Sequence, residues 1–363
     1  MKRWEQVFIK AKLTENEPSP CFIYEEKLSP YASIVAFKNL VPLSVWEKKR
    51  EYLEIHINKD ILNITQDEKD NQIIKLLIED KPLTDCINWH DKYTDYSNEI
   101  LNIGISSVGV VGIDLRKEPH AFVSSKTGHG KSNILKCMIH QAINKGYDVV
   151  LIDFKRGVSF SDFTEYIDVH FDYIPAIEAL KAMVAETTRR LDLFRESRVD
   201  NLGDYNKVTG NNLERKIIFI DELTELLKPS DKALSKLIYD SLEALTRLSR
   251  AAGIHLIMGI HRPDSTIITG QIKNNVSFRI CGHFADKEPS EIMLGNSAAN
   301  KLPKDTKGRF IVKDDGMQIV QCFLYPKSAK DSLNRRIKKV SPTINKSAVL
   351  SSELNFDFSD IIK

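Results

Sequence analysis

Short apolar runs, regularly spaced, mark the middle of the chain. His120–Ser124, Val149–Asp153, Lys216–Ile220 and Ile254–Ile260 read as buried strands. Between them lie helical patterns over Lys131–Lys145, Pro175–Glu196 and Asp231–Ala252. Unbroken apolar strands alternating with helices predict a parallel sheet covered on both faces, hence an α/β fold. Phe310–Lys313 and Gln318–Phe323 flank Asp314-Asp315-Gly316, the signature of a β-hairpin turn. Upstream the pattern is weaker. Pro42 followed by Ser44-x-x-Glu47 predicts a capping box that starts a helix running to about His56, with Val45, Tyr52, Leu53 and Ile57 as its apolar positions. Asn71–Glu79 reads as a strand. The texture divides the chain into a small α/β lead-in domain over 1–100, a large α/β domain over 101–325, and a tail over 326–363 that is basic and then acidic.

Composition narrows this picture. A chain of 363 residues with 42% hydrophobic residues can fill a sizeable core, which excludes wholesale disorder. The net charge of +2 excludes a uniformly basic coat, though not local basic patches. No apolar run reaches membrane-spanning length, and Met1–Lys10 carries charges where a secretory leader has an apolar centre. The five cysteines (Cys21, Cys86, Cys137, Cys281, Cys322) have no paired spacing, as expected of reduced thiols in a cytoplasmic protein.

The strongest local chemistry is Ser125-Lys126-Thr127-Gly128-His129-Gly130-Lys131-Ser132, which follows a strand and opens a helix that continues with Asn133. Backbone N–H groups at such a helix start can wrap a β-phosphate. Lys131 would contact the β- and γ-phosphates of ATP, and the Ser132 hydroxyl would hold Mg²⁺. Ser125 stands where the phosphate-loop pattern has its first glycine. The alternative, a Gly-rich helix start without a ligand, is weakened by the strand before it and the helix after it.

Three further strand tips carry polar groups. Lys216–Ile220 ends in Asp221-Glu222. Asp221 can hold Mg²⁺ and Glu222 can polarise an attacking water. Alone, such a pair is more often helix N-terminal charge; about 90 residues after a phosphate loop, it points to function. Asp153 ends the intervening strand, either supporting the Mg²⁺ shell or making a strand-end salt bridge. His261-Arg262 follows Ile254–Ile260, with His261 either sensing the γ-phosphate or simply satisfied in place.

Taken together, the residues resemble a known family. Arg250-Ala251-Ala252-Gly253-Ile254-His255-Leu256-Ile257, then Arg262-Pro263, Ile268-Thr269-Gly270, Ile272-Lys273-x-Asn275 and Arg279-Ile280, closely resemble the motor domain of the FtsK/SpoIIIE DNA translocases. Pro119-His120, Leu151-Ile152-Asp153-x-Lys155, Glu186-x-x-x-Arg190 and Asn201-Leu202-x-x-Tyr205-Asn206 fit the same family, in the right order over about residues 100–325. The Leu43–Ile57 helix resembles its small preceding domain. The resemblance implies a RecA-like, additional-strand P-loop NTPase that assembles as a ring, usually a hexamer, around double-stranded DNA. It carries the catalytic roles onto Lys131, Asp221 and Glu222, and it implies a trans-acting arginine finger at Arg279, with Arg262 as the competing position. Two departures stand out: His261 replaces the usual Gln, and Ser125 replaces the first loop Gly. The large translocases' membrane segments and winged-helix domain are not recognised. The expectation is a stripped motor of the kind carried by conjugative plasmids and integrative elements, which would meet a relaxase or be recruited by a membrane-associated transfer machinery.

Charge is unevenly placed. Residues 301–346 hold twelve Lys/Arg against four Asp. The resemblance puts pore loops near Lys301 and at the Lys313–Gly316 turn. Lys301, Lys304, Lys307, Arg309 and Lys313 are therefore the candidate DNA contacts, with Arg335–Lys339 a weaker candidate and a solvated charged face the bland alternative. No aromatic stripe interleaves these charges, which disfavours a single-strand stacking platform. Leu354–Phe358 is expected to be a frayed or docking tail. A protein-secretion ATPase and an ATP-dependent assembly factor without translocation are the competing readings.

Overall fold

Aromatic side chains build the core of the amino-terminal residues. In a computed structural model, which describes residues 2–13, 18–265, 268 and 270–333, Phe8, Phe37 and Trp46 meet at ring distances of 5.0, 5.5 and 5.9 Å. Trp46 is fully buried, and its indole N–H donates to Asn39 Oδ1 at 3.1 Å. Arg335–Lys339, Lys346 and the Leu354–Phe358 tail lie outside the described residues, as does Thr269. The described chain divides into two units. The first runs to Asp85 and also takes in Gly104–Val111 and Ile319–Gln321. The second takes in Cys86–Ile103, Gly112–Gln318 and the residues from Cys322.

The first unit contains α1 (Lys2–Lys10), β1 (Cys21–Lys27), β2 (Ala32–Lys38), α2 (Leu43–Lys48), α3 (Arg50–Ile57), β3 (Ile61–Gln66) and β4 (Ile73–Glu79). Its sheet is antiparallel, in the order β1-β2-β4-β3. The expected capping box does not form. Pro42 is itself the N-cap, its fixed φ of −60° letting its carbonyl accept from Val45 N–H at 2.9 Å. Ser44 thus falls inside the first turn, too late to cap it. The single helix expected to His56 is broken at Lys49 (φ −99°, ψ 4°). Its buried stripe is Trp46, Leu53 and Ile57, while Tyr52 is 56% exposed.

The second unit contains β5 (Ile87–Asn88), β6 (Ile100–Ser106), β7 (Gly109–Asp114), β8 (His120–Ser124), α4 (Lys131–Asn144), β9 (Asp148–Ile152), β10 (Val169–His170), α5 (Tyr173–Ser197), α6 (Leu202–Thr209), β11 (Lys216–Ile220), α7 (Leu223–Leu226), α8 (Lys232–Ala252), β12 (Ile254–Ile260), α9 (Gly270–Asn275), β13 (Phe278–Gly282), α10 (Glu288–Leu294), β14 (Arg309–Lys313) and β15 (Met317–Leu324). Parts of β6, β7 and β15 are counted with the first unit. Strands β10-β9-β11-β12-β8-β13 are parallel, and β14 then pairs antiparallel with β13. The apolar runs are buried on both faces, as their lack of alternation predicts. One face of β11 and β12 (Ile218, Ile220, Leu256, Met258) packs with Ile177 and Leu180 of α5 and with Ile238, Leu242 and Leu245 of α8. Helix α4 lies against β9, β11 and β12.

Several family-like residues turn out to hold this frame together. Arg190 is buried, donating to Glu186 at 2.7 Å and to the Ala252 carbonyl at the end of α8 at 2.9 Å. Asn201 caps α6 by accepting from Asp204 N–H at 3.0 Å. Gly253 closes α8 at φ +69°, and a side chain there would collide with Leu202 at 2.4 Å.

Candidate nucleotide site

Four parallel strands deliver the polar tips predicted from sequence to one end of the sheet. β12 lies between β8 and β11, so the strand bearing the phosphate loop is separated by one strand from the strand bearing the acidic pair. The paired positions Ile220↔Met258, Ile220↔Ile152 and Ile260↔Ser124 bring residues 125, 153, 221 and 261 to the same carboxyl edge.

The loop from Ser125 to Gly130 needs two left-handed positions, and glycine fills both: Gly128 at φ +81° and Gly130 at φ +115°. Lys126, Thr127 and Gly128 are exposed at its crown, whereas Ser125 is fully buried. The extra side chain of Ser125 finds its space on the neighbouring strand. A Cβ on Gly282 of β13 would stand 2.8 Å from Ser125 Cβ and 2.8 Å from Phe310 Cε1. Gly282→Ala is therefore expected to destabilise the protein by about 1–3 kcal/mol through overpacking. Adding Ser125→Gly should recover part of that loss, and equal unfolding midpoints for the single and double variants would refute the compensation.

Lys131 is almost wholly buried and points back into the sheet edge. Its ammonium donates to the Asp221 backbone carbonyl and lies 3.4 Å from Glu222 Oε2 and 3.6 Å from Asp221 Oδ1. Burial lowers its pKa, against the opposing pull of Asp221 and Glu222. This close approach depends on Gly259, where a Cβ would stand 2.3 Å from the Asp221 carbonyl oxygen and 3.0 Å from Lys131 Nζ. That role was missed from sequence; the signal was a lone glycine inside an apolar strand run.

Asp221 is completely buried. Its Oδ1 accepts from Ser132 Oγ at 3.2 Å; its Oδ2 accepts from Lys155 Nζ at 2.8 Å and Ser159 Oγ at 2.9 Å. Burial would raise its pKa, but the charge of Lys131 and the Lys155 hydrogen bond hold it below the ordinary carboxylate value. Glu222 accepts from the His261 backbone N–H at 3.2 Å through Oε1, and its Oε2 lies 3.2 Å from His261 Nε2. Burial and then Lys131 lower the His261 pKa, against the opposing pull of Glu222. A buried carboxylate beside a hydroxyl gives the hard oxygen donors that Mg²⁺ takes, so Ser132 and Asp221 fit the ion expected there. Asp153 has a different task. Its carboxylate accepts from the backbone N–H groups of Lys155 at 2.9 Å and Ser159 at 2.7 Å, which spends it on the turn rather than on a metal.

Other expected residues lie apart from this cluster. Arg279 directs its guanidinium into its own chain, donating to the carbonyls of Val276 at 3.0 Å, Met293 at 3.0 Å and Lys273 at 2.6 Å. Arg262 is 74% exposed on its side chain and 3.8 Å from Asp286. Lys301 and Lys304 are exposed. Lys313 folds back to the Leu294 carbonyl at 2.9 Å, leaving Asp314 and Asp315 at the tip of the β14–β15 turn. The loop carrying Lys304 and Lys307, which leads to Arg309, touches the phosphate loop directly: Gly308 N–H donates to the His129 carbonyl at 2.9 Å. Burial, His283, Lys126 and Lys307 together lower the pKa of His129.

Comparison with known proteins settles the lineage. The FtsK/SpoIIIE family profile matches residues 89–219. A solved structure of the pCW3 conjugation coupling protein TcpA, in monomer form with ATPγS, is 33% identical and superposes with a TM-score of 0.67 over 90% of this chain and 95% of that one. The chain belongs to the FtsK/SpoIIIE family. Within that family, DNA translocase FtsK of Leptospira interrogans is 33% identical over 223 residues, covering 56% of this chain and 22% of the relative. Its counterpart in Staphylococcus aureus is 28% identical over 297 residues, covering 72% of this chain and 37% of the relative. The FtsK/SpoIIIE chain described here thus spans 22% and 37% of the length of these two curated relatives. EssC of Geobacillus thermodenitrificans (ATPases 2 and 3) shares the fold at 18% identity, with a TM-score of 0.59 over 67% of this chain and 48% of that one. The family assignment and the superposition give the chain a P-loop NTPase fold. Among the described residues, no helix is long and apolar enough to cross a membrane.

Proposed function

We propose that this chain is an ATP-driven motor on double-stranded DNA, working as a ring of copies and serving the transfer of a plasmid or integrative element. The observation that carries the reading is the convergence of Lys131, Ser132, Asp221 and Glu222 at one sheet edge, in a chain similar over 90% of its length to a conjugation coupling protein. The backbone of residues 125–130 wraps the β-phosphate of ATP, and Lys131 turns from the Asp221 carbonyl to the β- and γ-phosphates. Ser132 and Asp221 hold Mg²⁺, which when bound neutralises the phosphate oxygens. Glu222, fixed by the His261 N–H, takes a proton from the attacking water as the water oxygen bonds the γ-phosphorus and the bond to ADP breaks. An arginine from a neighbouring copy, Arg279 or Arg262, completes the charge stabilisation.

The duplex is held without regard to sequence by Lys301, Lys304 and neighbouring cations against its phosphates. The Lys304–Gly308 loop joins this cationic segment to the phosphate loop through the Gly308–His129 hydrogen bond. The test is ATPase turnover with and without linear duplex DNA across a salt series. Duplex should raise turnover severalfold, and the stimulation should fall steeply as salt rises. Turnover indifferent to duplex at every salt concentration would overturn the DNA motor in favour of a protein-export or assembly ATPase on the same fold.

A further inference from the structure

We propose that Lys155 is a positioning residue: without nucleotide its ammonium holds the Asp221 carboxylate as a tethered stand-in for the divalent cation, and nucleotide loading with the cation requires its release. The inference rests on the nucleotide-site reading above and deepens it. Both donors to Asp221 Oδ2, Lys155 Nζ at 2.8 Å and Ser159 Oγ at 2.9 Å, come from the turn that follows β9. That turn is built for the purpose. The Asp153 carboxylate gathers the N–H groups of residues 155 and 159, Gly157 N–H donates to the Asp153 carbonyl at 3.2 Å, and the chain reverses through left-handed Arg156 (φ +57°) and Gly157 (φ +77°). A non-glycine residue in that region carries a cost that a free-running loop would avoid.

The balance of charge at the site selects which cation leaves. The carboxylates of Asp221 and Glu222 face the ammonium groups of Lys131 and Lys155, two against two. A buried carboxylate without a partner is strongly unfavourable, so something positive must stand by Asp221 before a metal does. The Asp221 carboxylate cannot serve Lys155 and a hydrated dication at full strength. The Lys131 side chain is 2% exposed, whereas that of Lys155 is 44% exposed and has a path to water. Release of Lys155 also ends its contact with His261 Nε2 at 2.9 Å.

The readout is the ratio of dissociation constants for a fluorescent ADP analogue measured in EDTA and in Mg²⁺. ADP lacks the γ-phosphate, so any contact between Lys155 and that group does not enter. Lys155→Met should raise the ratio about tenfold, the equivalent of one charge-assisted hydrogen bond removed from competition. Lys155→Arg should return it toward the wild-type value, and Ser159→Ala, which removes a neutral donor to the same oxygen, should shift it less than about threefold. A purely structural salt bridge would lower the unfolding midpoint of Lys155→Met while leaving the ratio unchanged, which would overturn the proposal. Should that variant not fold, acylation of Lys155 in the wild-type protein, followed by mass spectrometry, decides the point. Mg²⁺ with ADP should raise its labelling severalfold over ADP in EDTA, and equal labelling refutes release. Wild-type protein that binds no ADP at all would bring down the nucleotide reading as well, whereas binding with an unaltered ratio removes only the role of Lys155.

Discussion

Glu222→Gln is expected to give a protein that takes up ATP much as the parent does and hydrolyses it at least about a hundredfold more slowly. Glutamine keeps the volume of the side chain and an oxygen to accept from the His261 N–H, now at 3.2 Å, so the strand tip stays in place. What it loses is the charge that draws a proton from water. Lys131→Ala should behave differently, because it removes the ammonium that both carboxylates face. Nucleotide binding should disappear, and the completely buried Asp221 should lose part of its compensation, so the unfolding midpoint should fall too. Equilibrium binding of labelled ATP beside single-turnover phosphate release separates the two variants. Wild-type turnover in Glu222→Gln would remove Glu222 from the role of base.

Arg279→Ala is expected to act first on stability. Its guanidinium bonds to Lys273 near the end of α9, to Val276 just beyond it, and to Met293 at the end of α10. These are carbonyls with few partners of their own, and a cation near a helix carboxyl end is favourable. Hydrogen bonds from a charged donor contribute about 1.5–3 kcal/mol each in mutational series, with strong non-additivity, so a net loss of about 2–4 kcal/mol is the expectation. Denaturant unfolding checks it, and an unchanged midpoint would mean these bonds carry no net weight. The same variant tests the trans finger. With duplex and ATP, activity of mixtures with wild type should fall more steeply than the variant's share if subunits exchange this arginine. A strictly proportional fall assigns Arg279 to the fold alone, and Arg262 becomes the position to test.

The parts of the site legible in the sequence were those whose signal is local. A phosphate loop needs its glycines and its lysine within eight residues, and the strands around it are buried on both faces, so their apolar runs are unbroken. β8, β11 and β12 were accordingly readable to the residue. Lys155, Arg279 and Lys313 were not readable in the same way, because a long cationic side chain chooses among partners that only the folded chain assembles. Lys155 found a carboxylate 66 positions away, and Lys313 found a helix-end carbonyl instead of solvent. The edge strand β1 escaped notice for another reason. Nearly all of its side chains are exposed, so the alternation that marks a half-buried strand is absent.

The hydrogen bond between Gly308 N–H and the His129 carbonyl has a mechanical consequence. Gly308 directly precedes β14, and the Gly308 carbonyl in turn accepts from Cys322 N–H of β15 at 2.7 Å. The phosphate loop at His129 is thus joined to a β-ribbon by a linkage one peptide long. With a single peptide between the loop and the ribbon, no intervening flexible segment is there to absorb a shift at His129.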